Sequence, residues 1–235
     1  MGGHPRSAGG PAVLRALDVP QKADVREMCA LLGVLGEPDA PTRALCEEAW
    51  ARLRPYAAPK MVSAQLPAAQ LRSLVKGNDL TRHLAGCEEV VLFAVTLGAG
   101  ADRALRRAQM GSVAMAAAMD AAASAMAEGC AAQAHALLRR SARERGLWLT
   151  QRFSPGYGDC PLSLQPALLR LLDAPRAIGL TATKDDLLLP RKSVTAICGQ
   201  ADHPVTGFLA GCEHCALRAG CRRRHEGRPC NGLAE

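Results

Sequence analysis

The 235 residues are enough to bury a sizeable core in one large domain, or in one domain with an appendage, and 49% hydrophobic against 3% aromatic content makes that core one of Ala, Leu, Val and Met. The charge balance, 29 − 22 = +7, calls for an acidic surface, a phosphate-bearing ligand or nucleic acid as partner, but so few aromatic residues exclude a base-stacking platform. A membrane span is excluded too, because the longest charge-free stretch of the Ala-rich region, Ala108 to Met119, is well short of the roughly 18 apolar residues required.

In chain order, the first dozen residues lack an apolar h-region and read as a flexible arm rather than a targeting signal. The protein is therefore expected to be soluble and cytoplasmic. Residues 22–34 and 42–54 place apolar positions at helical spacing, and Gly33, Gly36 and Pro38 break the pattern between them, which predicts a helical hairpin. Ala58 to Leu71 reads as a strand and a loop, Asp79 to Gly86 as a short helix, and Glu89 to Leu97 as a buried strand.

Gly98-Ala99-Gly100 then feeds a helical stretch from Ala101. The sequence is similar to the first motif of Rossmann-type methyltransferases, but the third glycine is missing and no acidic residue ends a following strand, so a strand-to-helix turn is expected. Ser112 to Arg140 is almost entirely helix former and should be the central helix, its dense alanines letting other elements approach closely. Leu147 to Phe153 is predicted as a strand, Leu162 to Leu172 as a helix, and Ile178 to Thr183 and Ser193 to Cys198 as two more strands. Strands with unlike connections and long helices predict an α+β fold with a mostly antiparallel, twisted sheet. No internal repeat is present.

Three pieces carry chemistry in order: Arg152-Phe-Ser-Pro-Gly156-Tyr157-Gly-Asp-Cys160-Pro161, then Ile178 to Thr181, then Pro190-x-x-Ser193-Val194. Arg152 is expected at a strand end before a Gly-Tyr turn, where a planar guanidinium suits bidentate capture of a carboxylate and turn amides could bind neighbouring polar atoms. Together the pieces resemble the activation domain of cobalamin-dependent methionine synthase, over roughly residues 80–200. The resemblance implies that S-adenosylmethionine is the ligand, its carboxylate held by Arg152 and the rest by Gly156 and Tyr157. It also implies a ligand-facing Glu128 on the preceding helix, with His135 two turns later as a structural residue. Gly158 and Asp159 stand where the synthase domain usually has Pro and Ala, which changes the rigidity of the turn.

No Asp-x-His-x-x-Gly motif for cobalamin occurs, so the resemblance implies cobalamin only through a partner. That partner would be a cobalamin-loaded methionine synthase lacking its own activation domain, supplied with electrons by a donor such as flavodoxin or ferredoxin. Cobalt would be the nucleophile, so no catalytic side chain is expected. The alternatives are a reductive activator of another corrinoid methyltransferase and, on the Arg-rich tail, a zinc-containing nucleic-acid-binding protein.

That tail carries Cys212-x2-Cys215-x5-Cys221-x8-Cys230. Ten cysteines in a reducing compartment are not a disulfide framework, and a Cys-x2-Cys turn places two thiolates on one metal, with the next two cysteines completing four ligands. An iron–sulfur cluster, zinc and unligated thiols all remain open. The expected division is a flexible arm at 1–12, an N-terminal helical part at 13–75, the activation-domain-like S-adenosylmethionine-binding domain at 76–200 and the Cys-rich metal-binding tail at 201–235.

Overall fold

The computed structural model describes residues 13–34, 36–74, 77–207 and 218–220. Its strands are β1 (Val13–Ala16), β2 (Lys60–Pro67), β3 (Glu89–Thr96), β4 (Trp148–Leu149), β5 (Thr181–Ala182), β6 (Leu188–Leu189) and β7 (Ser193–Ala201). Its α-helices are α1 (Val25–Leu31), α2 (Ala40–Leu53), α3 (Ala68–Arg72), α4 (Asp79–His83), α5 (Ala99–Ala108), α6 (Val113–Glu144), α7 (Gln165–Leu171) and α8 (Ala174–Ile178). The main sheet has the order β1-β2-β3-β7-β4, antiparallel at every pairing, and β5 and β6 form a separate hairpin. The α+β expectation holds.

β3 is central because its sequence is apolar on both faces. Val91, Phe93 and Val95 join Met61 and Cys198 in a core covered by α1, α2, α5 and α6, whereas Val90, Leu92 and Ala94 join Val62 and Ile197 in a second core under α3, α4, α7 and α8. The period of two along a strand produces this split, and the result is a sheet between two helical layers. The register pairs Lys60 with Thr96 and Glu89 with Gln200.

The helical hairpin is present as α1 and α2. The Asp24 and Asp39 side chains start these helices by accepting the Glu27 and Thr42 amides, each at 2.9 Å. The central helix α6 runs 32 residues, about 48 Å at 1.5 Å per residue. Ala118, Ala122, Ala123, Ala131 and Ala134 on it are fully buried, so small side chains let α6 lie close to the sheet and to α2.

Three local expectations change. The N-terminal part supplies, besides the strand expected within Ala58 to Leu71 and seen as β2, an unexpected β1, so the main sheet draws strands from both sides of residue 75. Ile178 does not open a strand; it ends α8, where Gly179 turns left-handed (φ 68°), and only Thr181–Ala182 pairs, with β6 rather than the main sheet. The strand expected over 147–153 is regular only at Trp148–Leu149, then resumes as a single bridge between Phe153 and Ile197.

Candidate functional site

Arg152 lies between β4 and the Phe153 bridge, and its guanidinium meets Glu128 of α6. Arg152 Nη1 and Nη2 donate to Glu128 Oε2 at 3.3 and 3.2 Å. The pair is half open to solvent, with side chains 28% and 48% exposed, so by itself it adds little stability. One carboxylate oxygen receives both guanidinium nitrogens, leaving an acid on an otherwise apolar stretch of helix side by side with a base from the neighbouring segment, both partly open to solvent. Such a pair suits a zwitterionic ligand, which offers a carboxylate to the one and a cation to the other.

The turn that follows is built differently from expectation. Gly156 adopts φ 93° and donates its amide to Cys160 O at 2.8 Å, Tyr157 N donates to Ser154 O at 3.1 Å, and Cys160 N donates to Tyr157 O at 3.0 Å. These amides close the turn on itself rather than standing ready for a ligand. A Cβ on Gly156 would press on Leu162 Cδ2 at 3.2 Å, so close packing and a left-handed backbone both select glycine. The Tyr157 side chain is half exposed and meets Phe153 edge-on, with ring centroids 6.1 Å apart.

Glu128 and Arg152 are therefore in direct contact, while Gly156 and Tyr157 follow on the same segment, Tyr157 reaching the group through Phe153. Two grooves of about 340 and 370 Å³ lie elsewhere, the first beside Val13 and Arg145, the second beside Leu74 and Arg170; neither is lined by these four residues. The candidate site is a surface arrangement.

Other residues hold this segment in place: Asp159 and His135, noted in the sequence, make contacts it did not predict, and His83 was not singled out there at all. Asp159 accepts the Asn78 and Asp79 amides at 2.6 and 3.0 Å and tethers the turn to α4. His135 and His83 hold the residues just before Arg152, Thr150 and Gln151. Burial, together with the Arg152 and Arg139 charges, pushes the His135 proton affinity down. The described cysteines are buried free thiols; burial pushes Cys160 up to about 11 and Cys198 up to about 12, so neither supplies a thiolate near the site.

The Gly98-Ala99-Gly100 turn is a packing device. α5 starts at Ala99, and a Cβ on Gly100 would overlap the Tyr56 carbonyl oxygen. Cys212, Cys215, Cys221 and Cys230 lie outside the described residues; among the described residues no group of three or more His, Cys, Asp or Glu side chains could hold a metal ion. Among the same residues no helix is long and apolar enough to cross a membrane.

An antiparallel sheet with a long helix across one face, and an Arg–Glu pair where that helix meets the sheet's broken edge strand, define an α+β module. The structure is similar to the crystal structure of the MetH reactivation domain bound to AdoHcy, with a TM-score of 0.59 at 16% sequence identity, covering 92% of this chain and 86% of that chain. At that identity the likeness is one of fold. No protein-family model and no curated protein sequence matches the chain.

Proposed function

We propose that the protein binds S-adenosylmethionine at Glu128, Arg152, Gly156 and Tyr157 and supports reductive methylation of oxidised cobalamin on a separate cobalamin-dependent methionine synthase. The observation that carries the reading is the Glu128–Arg152 pair, 3.2 Å apart beside a Gly-Tyr turn, in a fold similar to a reactivation domain that binds AdoHcy. Arg152 receives the ligand carboxylate, and Glu128 faces the amino group or the sulfonium. The turn supports the ligand through its shape and the Tyr157 ring, since its own amides are largely committed. On the partner, cobalt accepts one electron and then takes the methyl group, leaving S-adenosylhomocysteine. This chain contributes orientation and electrostatics, which is what a near-attack displacement needs.

The electron comes from a flavodoxin- or ferredoxin-type donor. In the tail, Cys212, Cys215, Cys221 and Cys230 would hold one iron–sulfur cluster or zinc ion. Mixing the protein, S-adenosylmethionine and a reductant with an oxidised cobalamin-loaded synthase tests the reading. The Co(II) spectrum should convert to that of methylcobalamin faster than with reductant and S-adenosylmethionine alone. Equal rates, with both partners shown to bind, would refute it.

A further inference from the structure

We propose that His83 and His135 form a two-sided clamp that positions Arg152, and that ligand affinity depends on it. This deepens the reading of Arg152 as the ligand's carboxylate receptor and rests on it. Regular pairing of β4 stops at Leu149, and beyond it the sheet holds Thr150 through Gly199, leaving the Thr150 and Gln151 carbonyls to other partners. Thr150 is 1% exposed, and Gln151 follows it directly.

From α6, on one face of the sheet, His135 Nε2 bonds the Thr150 carbonyl at 3.0 Å. From α4, on the other face, His83 Nε2 lies 2.9 Å from the Gln151 carbonyl and 2.9 Å from Thr150 Oγ1. A carbonyl only accepts, so each Nε2 carries a proton and donates. Both rings are buried, and burial pushes the proton affinity of His135 down.

The clamp is tied to the sheet. Thr150 N donates to Gly199 O at 2.9 Å, and Gly199 N returns a bond to Thr150 Oγ1 at 2.8 Å. On the far side of Arg152, the His83 ring lies 5.1 Å from that of Phe153, whose backbone exchanges two bonds with Ile197 at 2.9 and 2.8 Å. Arg152 is thus a partly exposed member of a segment pinned on both sides, and its guanidinium can be held against Glu128 or a ligand without ordering a loop on binding. His135 acts on the segment through the Thr150 carbonyl, and His83 through the Gln151 carbonyl and the Thr150 hydroxyl.

The test compares native protein with His135→Leu and His135→Gln, and with His83→Leu. Each is titrated with S-adenosylhomocysteine by calorimetry and followed by hydrogen exchange at the Gln151 and Phe153 amides. His135→Leu should weaken binding about tenfold, the effect of removing one buried hydrogen bond, and speed exchange at both amides. His135→Gln, which presents an N–H near the position of Nε2, should restore affinity to within about threefold and slow the exchange again. Native affinity and native exchange in a folded His135→Leu protein would overturn the clamp. So would a His135→Gln protein no better than His135→Leu. Absence of S-adenosylhomocysteine binding by the native protein would instead remove the ligand reading, with the exchange data still deciding the clamp.

Discussion

Asp159 and Asp79 cap each other across 80 residues of sequence: Asp159 Oδ1 accepts the Asp79 amide at 3.0 Å, and Asp79 Oδ2 accepts the Asp159 amide at 3.2 Å. Asp159 Oδ2 also takes the Asn78 amide at 2.6 Å. Gly158 between them is required, since its φ is 53° and a Cβ there would overlap the Asp79 carboxylate. The chain anchors this turn to α4 through side chain and backbone.

The first prediction concerns that anchor. The Asn78 amide and then the Asp79 amide hold the Asp159 carboxyl below its usual value of 3.8. A carboxyl depressed in the folded state stabilises above its unfolded pKa, and that contribution is lost as pH falls through the folded one. Asp159→Ala should lower the melting temperature at neutral pH, and the gap to the native protein should close as pH drops below 3.8. A gap of constant size from pH 7 to pH 2 would mean that the carboxylate is not what holds the turn.

The second prediction separates the roles of the ion pair. Arg152→Ala should weaken S-adenosylmethionine binding by about 1.5 to 3 kcal/mol, the range for hydrogen bonds to charged groups. Glu128→Gln discriminates further. If its carboxylate faces the sulfonium, the substitution weakens S-adenosylmethionine more than S-adenosylhomocysteine, which lacks that charge. If it faces the amino group, both weaken equally. Calorimetry with the two ligands reads the difference, and unchanged affinity in both variants would move the site elsewhere.

The elements legible in the sequence are those whose signal is local. β3 is an unbroken apolar run and α6 an unbroken run of helix formers, so both were read within a few residues of their ends. β1 was missed because all four of its residues are exposed and no alternation marks them; pairing with β2 makes it a strand. Thr181–Ala182 was overextended because Ile178 and Leu180, apolar in the sequence, are buried by α8 and the loop after it rather than by a strand ladder. Glu128 and Arg152 were paired only through a resemblance, and their spacing alone does not predict contact. The Asp159–Asp79 anchor and the histidine clamp join residues 15 to 80 positions apart with no periodic signature.

The third prediction follows from His135. Burial is the largest influence and depresses its pKa below 6.5; its bond to the Thr150 carbonyl comes next and works the other way, and the Arg152 and Arg139 charges add to the depression. A histidine depressed in the folded state contributes stability above its unfolded pKa and loses it as pH falls. Native stability to urea should therefore decline as pH drops below 6.5, and His135→Gln should show a shallower decline. Parallel curves for the two proteins would assign the acid sensitivity to other groups.

The fourth prediction tests the glycine turn before α5. Because a Cβ on Gly100 would overlap the Tyr56 backbone oxygen, Gly100→Ala forces the α5 start away from the turn that follows α2. Overpacking of this kind costs about 1 to 3 kcal/mol. The melting temperature should fall while the affinity for S-adenosylmethionine stays native. Loss of ligand affinity in a folded Gly100→Ala protein would show that the turn serves a ligand after all.

The last prediction joins the Cys-rich tail to the site. Gln151 N donates to Thr206 O at 3.1 Å, and Gly207 packs where a Cβ would press on the His83 ring and Thr150. The chain therefore leaves residue 207 beside the segment that carries Arg152. Cys212 is five residues further on, a span of at most ~18 Å when fully extended. A redox centre held by Cys212, Cys215, Cys221 and Cys230 would be tethered near the methyl donor, whereas a zinc ion there would be purely structural. Anaerobic purification followed by iron, sulfide and zinc analysis distinguishes the two. For a cluster, serine substitution of Cys212 and Cys215 should leave S-adenosylmethionine affinity native and slow reactivation of the oxidised synthase. For zinc, the same substitutions should lower stability without a change in electron-transfer rate. A protein that holds neither metal under either condition would exclude the tail from the mechanism.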